Sequence, residues 1–342
     1  MNKTRLIAAL LPLWILTASG PSQAKQCQIA WNPPAVSSGT GDLSGVAWGA
    51  GRFVAVDHQG SVSASPTGMA WTPTATLAGL YFDIARGGNK FVAVGADSLQ
   101  TAQPTCSDPG NPFSCFPTDG GYQSYEGRTI AISPNGKRWT PIAATGNRLL
   151  AVAWGRGRFV AVGDYGAILT SPTGKRWTAR LLGNTSLSSP TLTDIARGHG
   201  RFVVVGIGLA GDGSPVGTVL TSPDGLHWTG HDSGTDQWLM GVAWGAGKFV
   251  AVGAGGAILT SPDGAVWDTQ TSNTTATLYG VAWGAGRFVA VGDQGALLTS
   301  PDGVAWTLQT PATSAALTDI AWAHGRFVGV GQGGTILVGT CQ

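Results

Sequence analysis

The sequence predicts an all-β protein, a seven-bladed β-propeller of four-stranded antiparallel blades. A pattern seen in full at residues 279–292 recurs along the chain, and its phenylalanine is found seven times, at Phe53, Phe91, Phe159, Phe202, Phe249, Phe288 and Phe327. The apolar runs of the pattern are short and rich in Val, Phe and Trp, which is typical of strands. A period of about 40 to 50 residues favours a ring of repeated blades.

Each repeat supplies four strands separated by turn signals. In the repeat that begins at residue 278, apolar runs cover residues 279–283, 288–291 and 296–299, and glycine-rich turns separate them. Large and small apolar residues alternate in the second run, as expected of a strand buried on both faces. The Ser-Pro-Asp-Gly at residues 300–303 predicts a β-turn, and Trp306 then anchors a short fourth strand.

The two ends of the chain are predicted to share one blade. The fourth-strand tryptophan recurs six times, at Trp71, Trp139, Trp177, Trp228, Trp267 and Trp306. The last repeat ends at Cys341 without this tryptophan, whereas Trp31 precedes the first complete repeat. We therefore expect an N-terminal strand at Trp31 to pair with the C-terminal blade and close the ring.

Residues 1–24 are predicted to be a secretory signal peptide. Lys3 and Arg5 precede an apolar run that is too short to remain in a bilayer, and small residues end at Ala24. Residues 25–342 are then a single propeller domain, secreted or periplasmic. Four cysteines in an exported chain predict two disulfides with three possible pairings. A Cys27–Cys341 bond would lock the closure, and it would leave Cys106 and Cys115 to staple one loop.

Two insertions interrupt the repeats. Residues 96–127 of the second blade replace a short turn between strands two and three, and they carry Tyr122, Tyr125 and Glu126, the only glutamate of the chain. Residues 207–217 form a smaller insertion at the same place in the fourth blade. These loops share one face of a propeller with the blade-to-blade connections, and we call it the insertion face. The Ser-Pro turns lie on the opposite face.

The Ser-Pro turns resemble a known family motif. Ser-Pro-Asp-Gly-x-x-Trp stands at residues 222–228, 261–267 and 300–306, and degenerate copies have Thr67, Asn135 and Thr173 in place of Asp. These turns resemble the Asp-box, or BNR, repeat of sialidase-like propellers. The whole repeat is similar to exported bacterial propellers related to the photosystem II assembly-factor type. The resemblance implies the fold, while the residues of a sialidase active site have no counterparts by position.

Three aspartates and Glu126 are the candidates for catalysis. Asp83, Asp194 and Asp319 begin the innermost strands of the second, fourth and seventh blades, where other blades have Gly or Ala. This places three carboxylates near the mouth of the central channel on the insertion face. There they bind a cation or take part in acid–base chemistry, or they accept hydrogen bonds from backbone N–H groups of the channel rim.

The candidates for partner contact lie on the insertion face. Tyr81, Arg148, Trp238 and Tyr279 stand in or just after blade-to-blade connections, and Tyr122, Tyr125 and Glu126 belong to the larger insertion. Aromatic side chains around a concave mouth suit a protein or a glycan, and the alternative is packing beneath a loop.

A ring of cations is also predicted, on the opposite face. Seven basic residues recur in the turn between strands one and two, at Arg52, Lys90, Arg158, Arg201, Lys248, Arg287 and Arg326. We interpret them as solvated turn residues that limit aggregation.

Composition and motifs narrow the function. The five histidines share no metal-ligand spacing and no catalytic motif is present, so we expect neither a metal nor a cofactor. A net charge of +2 gives no sign of a nucleic-acid or anionic-membrane partner. The sequence favours a monomeric, non-catalytic binding or assembly platform for a protein or glycan. The alternatives are a carbohydrate-active hydrolase or lyase and a purely structural module.

Overall fold

The computed structural model describes residues 28–33, 35–36, 41–97, 128–183, 189–211 and 213–342. These residues form seven antiparallel sheets, and the last strand of the chain shares a sheet with the first. The predicted seven-bladed β-propeller is confirmed. The predicted signal peptide, Cys27, Cys106, Cys115, Tyr122, Tyr125 and Glu126 lie outside the described residues. Within the described ranges, no helix combines the length and the apolar character needed to span a membrane.

The strands follow one another blade by blade. The N-terminal strands are β1 (Ile29–Trp31) and β2 (Ala35–Val36). Blade 1 contains β3 (Leu43–Gly49), β4 (Arg52–Asp57), β5 (Ser61–Ser65) and β6 (Thr72–Thr76). Blade 2 contains β7 (Leu80–Gly87), β8 (Lys90–Ala96), β9 (Arg128–Ser133) and β10 (Thr140–Ile142). Blade 3 contains β11 (Leu149–Gly155), β12 (Arg158–Gly163), β13 (Ile168–Ser171) and β14 (Thr178–Ala179).

The remaining blades repeat this order. Blade 4 contains β15 (Thr191–Gly198), β16 (Arg201–Leu209), β17 (Pro215–Ser222) and β18 (Thr229–Asp232). Blade 5 contains β19 (Leu239–Gly245), β20 (Lys248–Gly253), β21 (Ile258–Ser261) and β22 (Asp268–Gln270). Blade 6 contains β23 (Leu278–Gly284), β24 (Arg287–Gly292), β25 (Leu297–Ser300) and β26 (Thr307–Leu308). Blade 7 contains β27 (Leu317–Ala323), β28 (Arg326–Gly331) and β29 (Thr335–Cys341).

Short 3₁₀ turns join strands two and three in four blades. They are Asp164–Gly166, Ala254–Gly256, Asp293–Gly295 and Gln332–Gly334. In blade 4 the smaller insertion is not a loop but an extension of the hairpin, because β16 and β17 stay paired as far as Leu209 and Pro215.

The ring closes between the two ends of the chain, as predicted. Strand β1 is the outermost strand of blade 7 and pairs antiparallel with β29, with Ile29 opposite Cys341 and Trp31 opposite Gly339. The Trp31 ring packs 6.4 Å from the ring of Phe327. Strand β2, which was not predicted, also pairs with β29. Because Cys27 is not among the described residues, its disulfide with Cys341 stays a prediction.

The hydrophobic core lies between successive blades. The seven repeated phenylalanines of the second strands are all fully buried. Between blades 1 and 2, for example, Val54 and Val56 pack with Ile84 and Phe91. Six further clusters repeat this arrangement around the ring. Strand pairing within a blade and apolar packing between blades therefore both stabilise the disc.

Close approach between inner strands requires glycine where the first strand ends in blades 1 to 6. A Cβ atom on Gly245 would lie 2.2 Å from the Trp283 ring of the next blade. Arginine takes the place of this indole in two blades, where Arg86 covers Gly49 and Arg197 covers Gly155. The indoles and arginine side chains therefore pack directly against the backbone of the preceding blade.

The Ser-Pro turns are held by their serine. In the turn of blade 4, the buried Ser222 Oγ accepts a hydrogen bond from the Gly225 N–H at 2.8 Å. The Asp224 Oδ1 accepts two more, from the N–H groups of Leu226 and His227 at 2.8 and 3.0 Å. The serine bond recurs in all six turns of this type, in blades 1 to 6.

Candidate functional site: the channel rim and the insertion face

The three aspartates of the channel rim connect neighbouring blades. Each directly follows a β-bulge in the first strand of its blade. One carboxylate oxygen of each accepts the N–H of the next residue, at 2.6 to 2.7 Å. The other oxygen accepts a backbone N–H of the following blade, which is Val152 for Asp83, Val242 for Asp194 and Val46 for Asp319.

These bonds tie blade 2 to blade 3, blade 4 to blade 5, and blade 7 to blade 1. Hydroxyl groups add to two of these connections, because Thr193 donates to the Leu239 carbonyl at 2.8 Å and Thr318 to the Leu43 carbonyl at 2.7 Å. Hydrogen bonding to the N–H groups of the rim is therefore the arrangement that the structure shows.

Burial changes the proton affinity of the three carboxyls. Burial raises the pKa of Asp194 to about 7 and that of Asp319 to about 6, against the opposing effect of their backbone hydrogen bonds. Burial also raises the pKa of Asp83 well above its ordinary value, and the charges of Asp319 and Asp194 add to the effect. The low dielectric of the rim disfavours the ionised form more than two N–H donors favour it.

The aspartates do not form a metal centre. Among the described residues, no three His, Cys, Asp or Glu side chains are placed to hold one ion. His58, in the turn after β4, packs against the Phe82 ring at 4.9 Å, and burial lowers its pKa. Glu126 lies outside the described residues, so its relation to the rim stays a prediction.

Arg148 is held between two blades. Its guanidinium forms a two-pronged ion pair with Asp164, at 2.8 Å from Nε to Oδ2 and 3.2 Å from Nη2 to Oδ1. It also stacks over the Phe82 ring of blade 2, at 5.3 Å. Arg148 is therefore fixed in place on the insertion face. Phe82, which lies between His58 and Arg148, was not among the predicted contacts.

The other predicted contact residues among the described residues are buried or half-buried. Tyr81 is only 1% exposed, because it fills the core position that leucine occupies in blade 1. The prediction that Tyr81 contacts a partner is therefore wrong, because its side chain is buried in the core. Tyr279 is half-buried and donates a hydrogen bond to Asp293 at 2.8 Å. Trp238 is half-buried just before β19.

Tyr165 is the exposed aromatic that the sequence analysis missed. It stands at the apex of the 164–166 turn, 49% exposed, with a left-handed φ of 55°. Glycine occupies this position in two other blades, as Gly255 and Gly333. A bulky residue in this conformation is strained by about 1 kcal/mol or more. A tyrosine at a position where two repeats have glycine and one has Gln294 was the signal available in the sequence.

An apolar neighbour extends this surface. Leu181 is 87% exposed in the connection between blades 3 and 4. The next residue, Leu182, packs against Gly166 of the tyrosine turn, since a Cβ there would lie 3.1 Å from its Cδ2 atom. Tyr165 and Leu181 therefore belong to one exposed region of the insertion face.

A second feature of this face is a shallow groove beside blade 5. Its volume is about 720 Å³, and neutral hydroxyl and amide side chains line most of it, among them Gln237, Asn273 and Thr275. None of the three rim aspartates lines it. The residues that line the groove carry no charge, and this composition suits a neutral ligand.

Comparison with known proteins shows the fold alone. No protein-family model and no curated protein matches the sequence. Among solved structures, the chain is similar to YCF48 bound to D1 peptide, with a TM-score of 0.65, 17% identity, and coverage of 91% of this chain and 97% of that one.

Two further structures show how widely the fold is used. Virginiamycin B lyase from Staphylococcus aureus gives a TM-score of 0.70 at 9% identity, over 92% of this chain and 99% of that one. The WD40 β-propeller domain of Doa1 gives a TM-score of 0.63 at 12% identity, over 92% of this chain and 97% of that one. A lyase and a WD40 domain on one scaffold illustrate that fold does not fix activity.

Proposed function

We propose that this protein is a non-catalytic binding platform and that a protein partner docks on the insertion face of blades 2 and 3. Tyr165 carries the proposal. The residue is strained and half-exposed, and a glycine at its position would relieve the strain. Strain that the fold does not require points to a role outside the fold.

The surroundings of Tyr165 fit a protein interface. Exposed Leu181 supplies apolar area, and Arg148 supplies a cation that Asp164 and Phe82 hold in one orientation. Interfaces are enriched in tyrosine and arginine, and pre-ordered side chains lose little entropy on binding. The 96–127 insertion begins on the same face, and we propose that it adds contacts through Tyr122, Tyr125 and Glu126.

Similar propellers support this choice of partner class. One solved neighbour is YCF48 bound to a D1 peptide, and another is a WD40 domain. We further propose that the chain is exported through its N-terminal signal and that its Ser-Pro turns are of the Asp-box type. Mass spectrometry of the mature N-terminus checks the cleavage after Ala24.

Photo-crosslinking tests the docking face. A photoreactive residue is placed at Tyr165 on the insertion face, and at Val266, 68% exposed on the opposite face, as the control. We expect protein adducts from position 165 in an envelope extract and few from position 266. Equal adducts from both positions, or none from 165, would contradict the proposal.

A matched pair of variants tests the role of the side chain. Tyr165→Gly removes both the ring and the strain, so partner capture should fall while stability stays equal or rises. Gln294→Gly makes the same backbone change at the equivalent turn of blade 6, where φ is 53°. Retention of partner capture by Tyr165→Gly would show that the tyrosine is not a contact.

A glycan is the second candidate, and the groove beside blade 5 favours it. Its hydroxyl and amide lining matches a neutral saccharide better than a charged one. A glycan array on the protein, repeated with Gln237→Ala and Asn273→Ala, tests this candidate. Binding that both variants retain would place the glycan elsewhere.

The alternative of a carbohydrate-active enzyme has less support. Both oxygens of each rim aspartate already accept backbone hydrogen bonds. A general acid or nucleophile must present an oxygen to its substrate.

A further inference from the structure

The Ser-Pro turns on the opposite face differ in charge from blade to blade. In blades 4, 5 and 6 the third residue of the turn is a carboxylate, which is Asp224, Asp263 or Asp302. In blades 2 and 3 it is neutral, as Asn135 and Thr173. The same two blades carry a Lys-Arg pair directly after the turn glycine, where the others have apolar residues or histidine. These pairs are Lys137-Arg138 and Lys175-Arg176, and we call them the basic arc.

The four cations of the basic arc are exposed and unpaired. All four residues are exposed. Within the part of the chain that the structure describes, the two ion pairs are Arg148–Asp164 and His227–Asp224, so neither involves the arc. The backbone beneath them is fixed, because Asn135 Oδ1 accepts the N–H groups of Lys137 and Arg138 at 3.0 and 3.1 Å. In blade 2, the exposed cations therefore stand on a turn whose backbone is hydrogen-bonded.

Blades 2 and 3 are neighbours, so their two pairs form one surface. Lys90 of blade 2 donates its Nζ to the Thr173 carbonyl of the blade 3 turn at 3.0 Å. Val92 of blade 2 packs at the glycine of the same turn, since a Cβ on Gly174 would lie 3.1 Å from its Cγ2 atom. Lys90 therefore adds a further cation beside the arc.

The carboxylate turns occupy a different arc of the same face. The backbone N–H of Ala265 is the main cause that holds the pKa of Asp263 below its ordinary value, so this turn remains ionised at neutral pH. Positive and negative turns thus occupy separate arcs of one face. A net charge of +2 describes the sum and hides this separation.

We infer that the basic arc binds the surface of an anionic lipid bilayer. These turns join the two outer strands of each blade, so they stand at the convex edge of the disc, where a flat surface can reach them. Clusters of exposed Lys and Arg attract anionic headgroups without requiring a shaped pocket. Met69, 47% exposed on the adjacent turn of blade 1, provides an apolar side chain at one end of the arc.

This orientation is compatible with a partner on the insertion face. The disc meets the bilayer at the edge formed by blades 1 to 3, and the carboxylate turns of blades 4 to 6 point away from the lipid. The insertion face stays open to solvent. The two surfaces are independent, so failure of one proposal leaves the other standing.

Vesicle flotation tests the inference with the mature protein. Vesicles contain phosphatidylcholine alone, or phosphatidylcholine and phosphatidylglycerol in equal amounts. We expect binding only to the anionic vesicles, and binding that weakens steeply as salt is raised. Changing the four arc cations together (K137Q, R138Q, K175Q and R176Q) should weaken binding at least about a hundredfold. Equal binding to both kinds of vesicle would overturn the inference.

A control with the same change in net charge separates position from total charge. A265E, V266E, V304E and A305E together also lower the charge by four, but on the turns of blades 5 and 6. This variant should bind the anionic vesicles within about threefold of the unchanged protein. An equal loss in both variants would overturn the inference, because total charge alone would then explain it.

Further experiments identify which anionic ligand the basic arc binds. Binding to heparin or polyglutamate in solution, with no flotation on anionic vesicles, would contradict a lipid surface and indicate a soluble polyanion. Should the fourfold variant fail to fold by circular dichroism, the pairs K137Q/R138Q and K175Q/R176Q replace it. Each of these double variants should bind the anionic vesicles about tenfold more weakly than the unchanged protein.

Discussion

Two opposing effects act on the pKa of Asp194. Both of its oxygens accept backbone N–H groups, an arrangement that favours the ionised form. Its burial favours the neutral form, and this effect is the larger one. A proton is therefore held near neutral pH at a junction between two blades.

Stability should fall as pH rises because of these raised pKa values. Between the ordinary aspartate pKa near 4 and the folded value of about 7 for Asp194, the folded state binds more protons than the unfolded chain. Each such carboxyl lowers the free energy of unfolding by up to about 1.4 kcal/mol per pH unit in that window. The contribution is fully present below pH 4. Urea unfolding at several pH values should show a smaller slope for Asp194→Asn than for the unchanged protein.

Asp302→Asn is the control, because the turn N–H groups hold the pKa of Asp302 below its ordinary value despite partial burial. Its stabilising contribution is present above the unfolded pKa and is lost as pH falls through the folded one. The two variants should therefore change the pH dependence in opposite directions. Identical profiles would contradict the account of the channel rim.

Sequence reasoning placed the rim aspartates but not their partners. Their positions followed from a break in the repeat, where three blades have Asp in place of Gly or Ala. The bonds to Val152 and Val242 join residues 69 and 48 positions apart, and they depend on how neighbouring blades are rotated. The prediction for Tyr81 was wrong for a related reason. A β-bulge decides which of the two adjacent aromatic residues, Tyr81 or Phe82, enters the core.

At the scale of elements, the Ser-Pro turn of blade 3 is a place where one substitution should increase the stability of the fold. Asn135 and Asp263 each accept two backbone N–H groups, whereas Thr173 Oγ1 accepts one, from Lys175 at 3.4 Å. Thr173→Asn should raise the free energy of unfolding by about 0.5–1.5 kcal/mol through the added bond.

Thr173→Asp adds the same bond and a charge beside Lys175. It should stabilise the turn to a similar degree in denaturant unfolding, and it should weaken the binding of anionic vesicles, which Thr173→Asn should leave unchanged. Destabilisation by both variants would contradict the proposed role of this position in the turn.

In six of the seven blades the end of the inner strand has no room for a side chain. Gly245→Ala would place a methyl group against the Trp283 ring, and the indole would have to move. We expect a loss of about 1–3 kcal/mol in urea unfolding, with a change in tryptophan fluorescence. Blade 7 supplies the control, because it has Ala323 at this position and Trp48 stacks 5.0 Å from His324. Ala323→Gly should cost less than about 1 kcal/mol.

Elements were more predictable than side-chain contacts. Strand periodicity and turn residues are local, so the four strands of each repeat could be read from the pattern. Strand β2 was missed because Ala35 and Val36 carry no repeat signal. The paired extension of blade 4 was read as a loop because its glycines are typical of turns.

For the whole molecule, closure of the ring is the step that chain entropy opposes most. The predicted Cys27–Cys341 bond would span the ends of the chain and stabilise the fold by about 5 kcal/mol in the chain-entropy estimate. Cys341→Ser should therefore lower the unfolding midpoint in urea markedly. Reductant should lower the midpoint of the unchanged protein in the same way.

The second predicted bond provides the comparison. Cys106→Ser with Cys115→Ser opens only a short loop, for which the same estimate gives about 2–3 kcal/mol. A larger effect from this pair than from Cys341→Ser would contradict the assigned roles of the two disulfides.

The join between β1 and β29 also determines how the protein responds to force. The two strands run antiparallel with Ile29 opposite Cys341, so both chain ends leave the disc at the same point. With the predicted Cys27–Cys341 bond reduced, a pull applied between the termini loads one hydrogen-bonded pair of the seam after another, and blade 7 would open at low force. Attaching handles or a tether to both ends therefore stresses the seam first, whereas a tether at one end leaves it unloaded.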